Sequence, residues 1–214
     1  MPNDYHTRAE LDRTHRLREL LHELPSCCSD YFIAIEQQTS ALTRLSYAYD
    51  LKLFFQYLST ELPKFGGKPI TEFTIADIQQ VTKQDLERYA RYLALYIKNE
   101  ILDDGEINSR EMTNHEYGIK RKYASLRAFY KYLFSDGFIE SNTASLVPLP
   151  KLHERAIIRL DIDEVARILD VAESGRALPK TYQKYHHVTR KRDVAMLSLF
   201  LGTGIRISEC VGLN

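Results

Sequence analysis

Arg206 is the residue best placed to do chemistry. It follows an apolar run from Val194 to Leu201 through a turn, Gly202-Thr203-Gly204, and precedes Ile207-Ser208-Glu209. An arginine at such a boundary between elements is held stiffly. Its guanidinium stays protonated at any cellular pH and can give two parallel hydrogen bonds to the oxygens of a phosphoryl group. The plainer role is structural, with Glu209 as an i,i+3 partner in a short helix. A second chemical feature is a block of cations. From Tyr117 to Ser135 the chain has Lys120, Arg121, Lys122, Arg127 and Lys131 and no acid, directly after a stretch rich in acids, Glu100 to Glu116. On a helix of about 100° per residue, Ile119, Tyr123, Leu126, Phe129, Tyr130 and Leu133 form one apolar stripe. Lys120, Arg127 and Lys131 line its flank over roughly 16 Å, a row able to meet phosphates along one DNA strand. Arg121 lies on the outer face, where an arginine fork matches the two major-groove acceptors of guanine. A helix that is merely solvated usually mixes signs for i,i+4 pairing. Arg44, on an earlier helix, is a further candidate contact. A second basic stretch holds Lys180, Lys184, Arg190, Lys191 and Arg192.

Other reactive groups carry less. His186-His187 has no Cys or acid partner at ligand spacing, so it reads as a surface loop and no metal site is expected. Cys27, Cys28 and Cys210 do not form a disulfide framework and read as small packing residues. Most of the fourteen tyrosines read as amphipathic packing.

These groups need a scaffold, and the composition allows one. The chain has 214 residues, 44% of them hydrophobic, enough for one large domain or two small ones. Lys+Arg and Asp+Glu both total 29, so net charge does not argue for nucleic acid and only local clusters can. No apolar run approaches the roughly 20 residues that span a bilayer. The first residues lack a secretory pattern, and a cytoplasmic protein with no membrane partner is expected.

Helix signals dominate. Leu17, Leu20, Leu21 and Leu24 mark an amphipathic helix over Arg8 to Leu24, stopped by Pro25. Tyr31, Phe32 and Ile35 suggest a short helix, and Leu42 to Leu58 a longer one ended by Gly66-Gly67 and its prolines. Thr82 with Asp85 and Thr113 with Glu116 read as capping boxes, the second opening the basic helix, which should stop near Asp136-Gly137. Asp103-Asp104-Gly105 marks a turn. Asp161 with Glu164 caps a helix through about Val171, and Asp193 to Leu201 forms another ending at Gly202. No strand pattern is convincing. The prolines of Val147 to Lys151 favour extended chain and set the domain boundary.

The segment Thr203-Gly204-x-Arg206-x-Ser208-Glu209 resembles the first signature box of the tyrosine recombinase, or phage integrase, family. Five fixed identities match by chance on the order of once in ten thousand chains of this length. Arg192-Asp193 with Ala195 looks like the family's lead-in to that box. Lys122 to Leu133, with Ser125-Leu126-Arg127 and Phe129-Tyr130, is similar to the core-binding-domain helix that sits in the DNA major groove. Leu42 to Leu58, with Tyr49-Asp50-Leu51 and Phe54-Phe55, resembles another groove-facing helix. The likeness covers roughly residues 29 to 214. It departs at Asn142-Thr143, where the family often has Asn-Pro, and at an insertion-like Gly175 to Val188.

The resemblance implies a mainly α fold: a helical core-binding (SAM-like) domain followed by the N-terminal helices of a tyrosine recombinase catalytic domain. The expected organisation is an N-terminal amphipathic helix over 1–25, a core-binding domain over 26–147, a linker over 148–158 and part of a catalytic domain over 159–214. It implies site-specific recombination or integration through a 3′-phosphotyrosine intermediate, on double-stranded DNA, by a homotetramer needing no cofactor. Arg206 carries over as catalytic and Glu209 as its support. The family's catalytic Lys, its His-x-x-Arg box and its nucleophilic Tyr lie downstream of the first arginine, so residues 1–214 are expected to bind DNA without cleaving it. A non-catalytic DNA-binding relative that competes with an intact recombinase is the alternative, and a helical protein–protein module without a DNA role the third reading.

Overall fold

The computed structural model describes residues 5–101, 107–149, 151 and 158–212. The chain divides into two compact units, a larger one of Thr7–His153 and a smaller one of Glu154–Asn214 together with Met1–His6. In the larger unit the helices are α1 (Tyr5–Leu21), α2 (Ser26–Ala34), α3 (Ala41–Glu61), α4 (Ile75–Gln79), α5 (Lys83–Ala94) and α6 (Glu116–Ser135), with strands β1 (Leu95–Ile101) and β2 (Ile107–Thr113) between the last two. The smaller holds α7 (Ile162–Ser174), α8 (Lys180–Thr203) and α9 (Ile207–Val211). The chain is mainly α, as expected. No helix among the described residues is long and apolar enough to cross a membrane.

Local chemistry sets the helix starts. The Ser40 hydroxyl accepts the Thr43 N–H to open α3, and Thr82 and Asp85 form the reciprocal box that opens α5. Asp161 and Glu164 do the same for α7. A further box, Thr74 with Asp77, opens the short α4. Each satisfies backbone N–H groups that a helix start leaves without partners. Burial alone would lift the Asp85 carboxyl. Hydrogen bonds from Lys64 Nζ (2.5 Å) and from the Thr82 N–H and hydroxyl outweigh it and bring its pKa below the usual value.

Three expectations are corrected. First, there are strands: β1 and β2 pair antiparallel, from Leu95 with Thr113 to Ile101 with Ile107. The apolar residues of β1 do not sort to one face, since Leu95 and Ile97 are exposed while Tyr96 is buried against Tyr92, so the alternation that marks a half-buried strand is missing from the sequence. Second, Thr113 belongs to β2, so it cannot cap α6. That helix starts after His115, which makes no side-chain cap bond. Third, α8 begins at Lys180, more than three turns before Asp193, and continues through Thr203. Asp103-Asp104-Gly105 and most of 148–158 lie outside the described residues.

The core of the larger unit is aromatic. All six stripe residues of α6 are buried, with Phe129 fully enclosed between Tyr31 (ring centroids 5.3 Å, near-perpendicular) and Phe55 (6.3 Å). Leu17, Leu20 and Leu24 add the first helix and its exit to this core. Two buried tyrosines anchor α5 by donating to its backbone, Tyr57 to the Asp85 carbonyl at 2.9 Å and Tyr123 to that of Leu86. The hydroxyls of Tyr31, Tyr89 and Tyr130 are buried without a partner among the described residues. An unpaired buried hydroxyl carries a desolvation cost of about 1 to 3 kcal/mol. Tyr89→Phe should therefore leave the urea midpoint unchanged or raise it, whereas Tyr57→Phe should lower stability by about 1 kcal/mol; a clear destabilisation by Tyr89→Phe would contradict this accounting.

The smaller unit is built differently. None of the described side chains of α7, α8 or α9 is buried. α7 lies against α8, and His186 Nε2 is 2.8 Å from the Ala172 carbonyl. Gly175 ends α7 and Gly204 ends α8, both at positive φ (68° and 67°), the left-handed cap that a residue with a Cβ adopts only at a cost.

Candidate nucleic-acid interface

Packing of α3 against α6 creates the most organised charged group in the larger unit. Asp50 sits among the apolar residues of α3, its side chain 2% exposed. Burial of a carboxylate without partners would cost several kcal/mol, and α6 supplies them. Arg121 Nη1 and Nη2 each donate to one Asp50 oxygen at 2.8 Å, and Lys122 Nζ lies 3.3 Å from Oδ1. Two cations against one carboxylate leave the cluster net positive. The Arg121 side chain remains half exposed. Its fork to Asp50 uses the two terminal nitrogens, so the Nε–H edge, two of the five donors of a guanidinium, has no acceptor among the described residues.

The remaining basic candidates divide by environment. Lys131 is exposed and Lys120 half-buried, and neither pairs with a carboxylate among the described residues. Arg127, expected on the same phosphate-facing flank, is instead turned inward. Its Nε donates to the Ala144 carbonyl (3.3 Å) and its Nη2 to that of Val147 (2.6 Å). The 3₁₀ turn Thr143–Leu146 leaves carbonyls without intrahelical donors, and Arg127 supplies them. Arg44 is likewise committed: it is buried, and Nη1 bonds the Glu36 and Thr39 carbonyls at 2.7 and 2.5 Å. The structure thus brings Arg121 and Lys122 together through Asp50, leaves Lys120 and Lys131 available, and takes Arg44 and Arg127 into the framework. Asp50 was not among the expected site residues, although an acid beside Leu51 and Phe54 on an apolar helix face signals a required cation partner.

In the smaller unit, the sequence around Arg206 has a physical role at nearly every fixed position. The Gly204 N–H bonds the Phe200 carbonyl at 2.9 Å as the left-handed cap of α8. Thr203 Oγ1 bridges the turn, donating to the Leu199 carbonyl (2.6 Å) and accepting from the Ile205 N–H (3.3 Å). Arg206 is then the N-cap residue of α9. Glu209 Oε2 accepts the Arg206 N–H at 2.9 Å, and Oε1 accepts Nη1 at 3.1 Å. One carboxylate thus meets both the backbone and the side chain of Arg206. The guanidinium is otherwise open, its side chain 81% exposed. A solvent-exposed pair of this type holds loosely, so the fork can exchange one carboxylate bond for a phosphoryl oxygen.

No metal-binding cluster of His, Cys, Asp or Glu occurs among the described residues. His186 instead faces α7, and Cys27, Cys28 and Cys210 are free thiols.

Comparison with known proteins finds relatives among the tyrosine recombinases. The chain is 31% identical over 189 residues to a protein described as tyrosine recombinase XerC from Caldanaerobacter subterraneus, covering 86% of this chain and 46% of that protein. It is 31% identical over 183 residues to the XerC of Chlorobaculum tepidum, covering 83% and 48%. With that of Bacillus subtilis it shares 25% identity over 174 residues, covering 77% and 49%. The chain therefore spans about half the length of the curated relatives it matches. No protein-family model matches the chain, and no solved structure matches it.

Proposed function

Because this chain belongs to the tyrosine recombinase family, we propose that it serves site-specific DNA recombination, gripping a duplex half-site through α6 and presenting Arg206 to the phosphodiester that is cleaved. The observation that carries this reading is the α8–α9 turn. Thr203, Gly204 and Glu209 all act to hold one exposed arginine, and a guanidinium so held suits the charge that develops on phosphoryl oxygens. On the DNA side, Lys120 and Lys131 offer point charges to phosphates, and the Nε–H edge of Arg121 is free for a second acceptor, a base edge or a phosphate.

In this reading a tyrosine oxygen attacks the phosphorus, forming the 3′-phosphotyrosine bond as the bond to the 5′ oxygen breaks, and Arg206 stabilises the charge on the non-bridging oxygens. The tyrosine that the family resemblance implies is none of the fourteen in residues 1–214. These residues alone therefore bind duplex DNA and leave it intact, and the protein acts as a homotetramer assembled on DNA.

The test is a titration of residues 1–214 on a nicked duplex at increasing salt. Affinity should fall steeply as salt rises, because each phosphate contact releases condensed counterions. No covalent adduct should form. Lys120→Ala, Arg121→Ala and Lys131→Ala together should flatten the log–log salt slope by roughly 2 to 3, at about 0.9 per phosphate contact. Salt-independent binding would remove the DNA reading, and a 3′ adduct on the nicked substrate would remove the assignment of the nucleophile.

A further inference from the structure

We infer that the amino-terminal half of α8 is a second duplex-DNA contact, a phosphate-binding row formed by Lys180, Lys184 and Lys191; this rests on the recombinase reading above but on residues that reading does not use. On a helix at about 100° per residue, Lys180, Lys184, His187 and Lys191 fall within one narrow stripe, over about 16 Å at 1.5 Å per residue. All four are exposed, as is Val188 beside them. His186 points well round the helix from this stripe, toward the Ala172 carbonyl of α7, so the lysine row lies on the side away from α7.

Local energetics argue against a row placed there merely for solubility. There is no Asp or Glu from Ser174 to Arg192, and no carboxylate among the described residues pairs with the three lysines. Lys180 and Lys184 repel each other at i,i+4. Lys180 also stands at the first helical position, after Pro179, with no acid in the first turn. That end of a helix carries partial positive charge and favours anions. Cations concentrated at the unfavourable end, without compensation, fit a site whose partner is an external polyanion. The same helix end adds its own field to the lysines in attracting one.

The residue types favour phosphates over bases. Lysine is a compact point charge on a flexible stem, suited to positioning rather than to the planar readout an arginine gives. Lys184 Nζ lies 5.8 Å from the centre of the exposed Tyr185 ring, which leaves the ammonium at the surface. The stripe should therefore add affinity without sequence preference.

The experiment uses residues 1–214 and a fluorescent duplex of arbitrary sequence, with anisotropy read across a salt series. Lys180→Gln, Lys184→Gln and Lys191→Gln together should flatten the salt slope by roughly 2 to 3 and weaken binding equally on unrelated sequences. Replacing the same three by Arg should preserve the slope. If the triple Gln chain loses helicity, each single Gln variant should flatten the slope by about one, and three unmoved slopes overturn the inference. So does a triple Arg chain that behaves like the Gln chain, or stronger binding to single-stranded RNA or phosphatidylglycerol vesicles than to duplex. Salt-dependent binding by the unmodified chain, with no change in the Gln variants, overturns this contact alone; absence of salt-dependent binding by the unmodified chain overturns the recombinase reading with it.

Discussion

On the proposed recombinase role, Arg206→Ala in the full-length protein is expected to lower single-turnover strand cleavage by roughly 10³- to 10⁵-fold, while changing duplex affinity little. The expected size follows from the chemistry of the step. A phosphodiester under attack concentrates negative charge on its non-bridging oxygens, and a preorganised cation that meets this charge acts mainly in the transition state. Arg206 is preorganised by its backbone, since its N–H is fixed by Glu209 and its position is set by the left-handed Gly204 two residues earlier. Only Nη1 is engaged by the Glu209 carboxylate, so most of the fork faces solvent before DNA arrives. Arg206→Lys should recover only part of the rate, because one ammonium cannot make two parallel bonds. Glu209→Gln should fall between, keeping an oxygen for the N-cap bond while losing the charge that steers the guanidinium. The measurement is adduct formation on a nicked duplex at saturating protein, with anisotropy reporting binding separately. An Arg206→Ala protein that cleaves at the normal rate would reduce Arg206 to the α9 partner of Glu209.

Much of this arrangement was readable from the chain, and the failures have physical causes. The α6 stripe was legible because 3.6-residue periodicity is a direct imprint of burial on one side, and every stripe residue is buried. The boxes at Thr82 and Asp161 were legible because capping is local: donor and acceptor lie three residues apart. Thr113 with Glu116 has the same spacing, yet Thr113 is held in the hairpin opposite Leu95, and pairing with a distant strand leaves no local trace. The inward bonds of Arg127 and Arg44 were hidden for a related reason. Both sit in runs that look solvent-facing, but each bonds carbonyls at sequence separations of 5 to 20 residues. Side chains that satisfy 3₁₀ turns are indistinguishable in sequence from side chains that wait for phosphate. The local setting of Arg206 was legible because the groups that shape its turn, Thr203, Gly204 and Glu209, lie within three residues of it.

Asp50→Ala is expected to produce the second large effect, and to divide stability from recognition. In the intact protein one nearly inaccessible carboxylate takes both terminal nitrogens of Arg121 and faces Lys122 Nζ, whose side chain is 13% exposed. Removing one partner of a buried pair is more damaging than the pair is stabilising, because the remaining charge stays desolvated. Arg121 can turn to water, being half exposed; Lys122 has less freedom. The loss should therefore lie at the lower end of the usual range, about 3 kcal/mol, read as a lower urea midpoint with an unchanged slope. Asp50→Asn keeps the volume and one acceptor oxygen and should cost less. Binding should respond differently. Lys120 and Lys131 are untouched, and a released Arg121 remains a cation, so the salt slope should be nearly preserved. What disappears is aim: without Asp50 the Nε–H edge of Arg121 is no longer held in one orientation. Discrimination among duplexes differing at one base pair should shrink, by up to the 1 to 3 kcal/mol that a good arginine–guanine contact supplies. If Asp50→Asn loses salt slope while sequence discrimination persists, Arg121 contacts a phosphate and the carboxylate tunes its charge; if stability alone changes, the Asp50 cluster is a buckle between α3 and α6, and base reading belongs elsewhere.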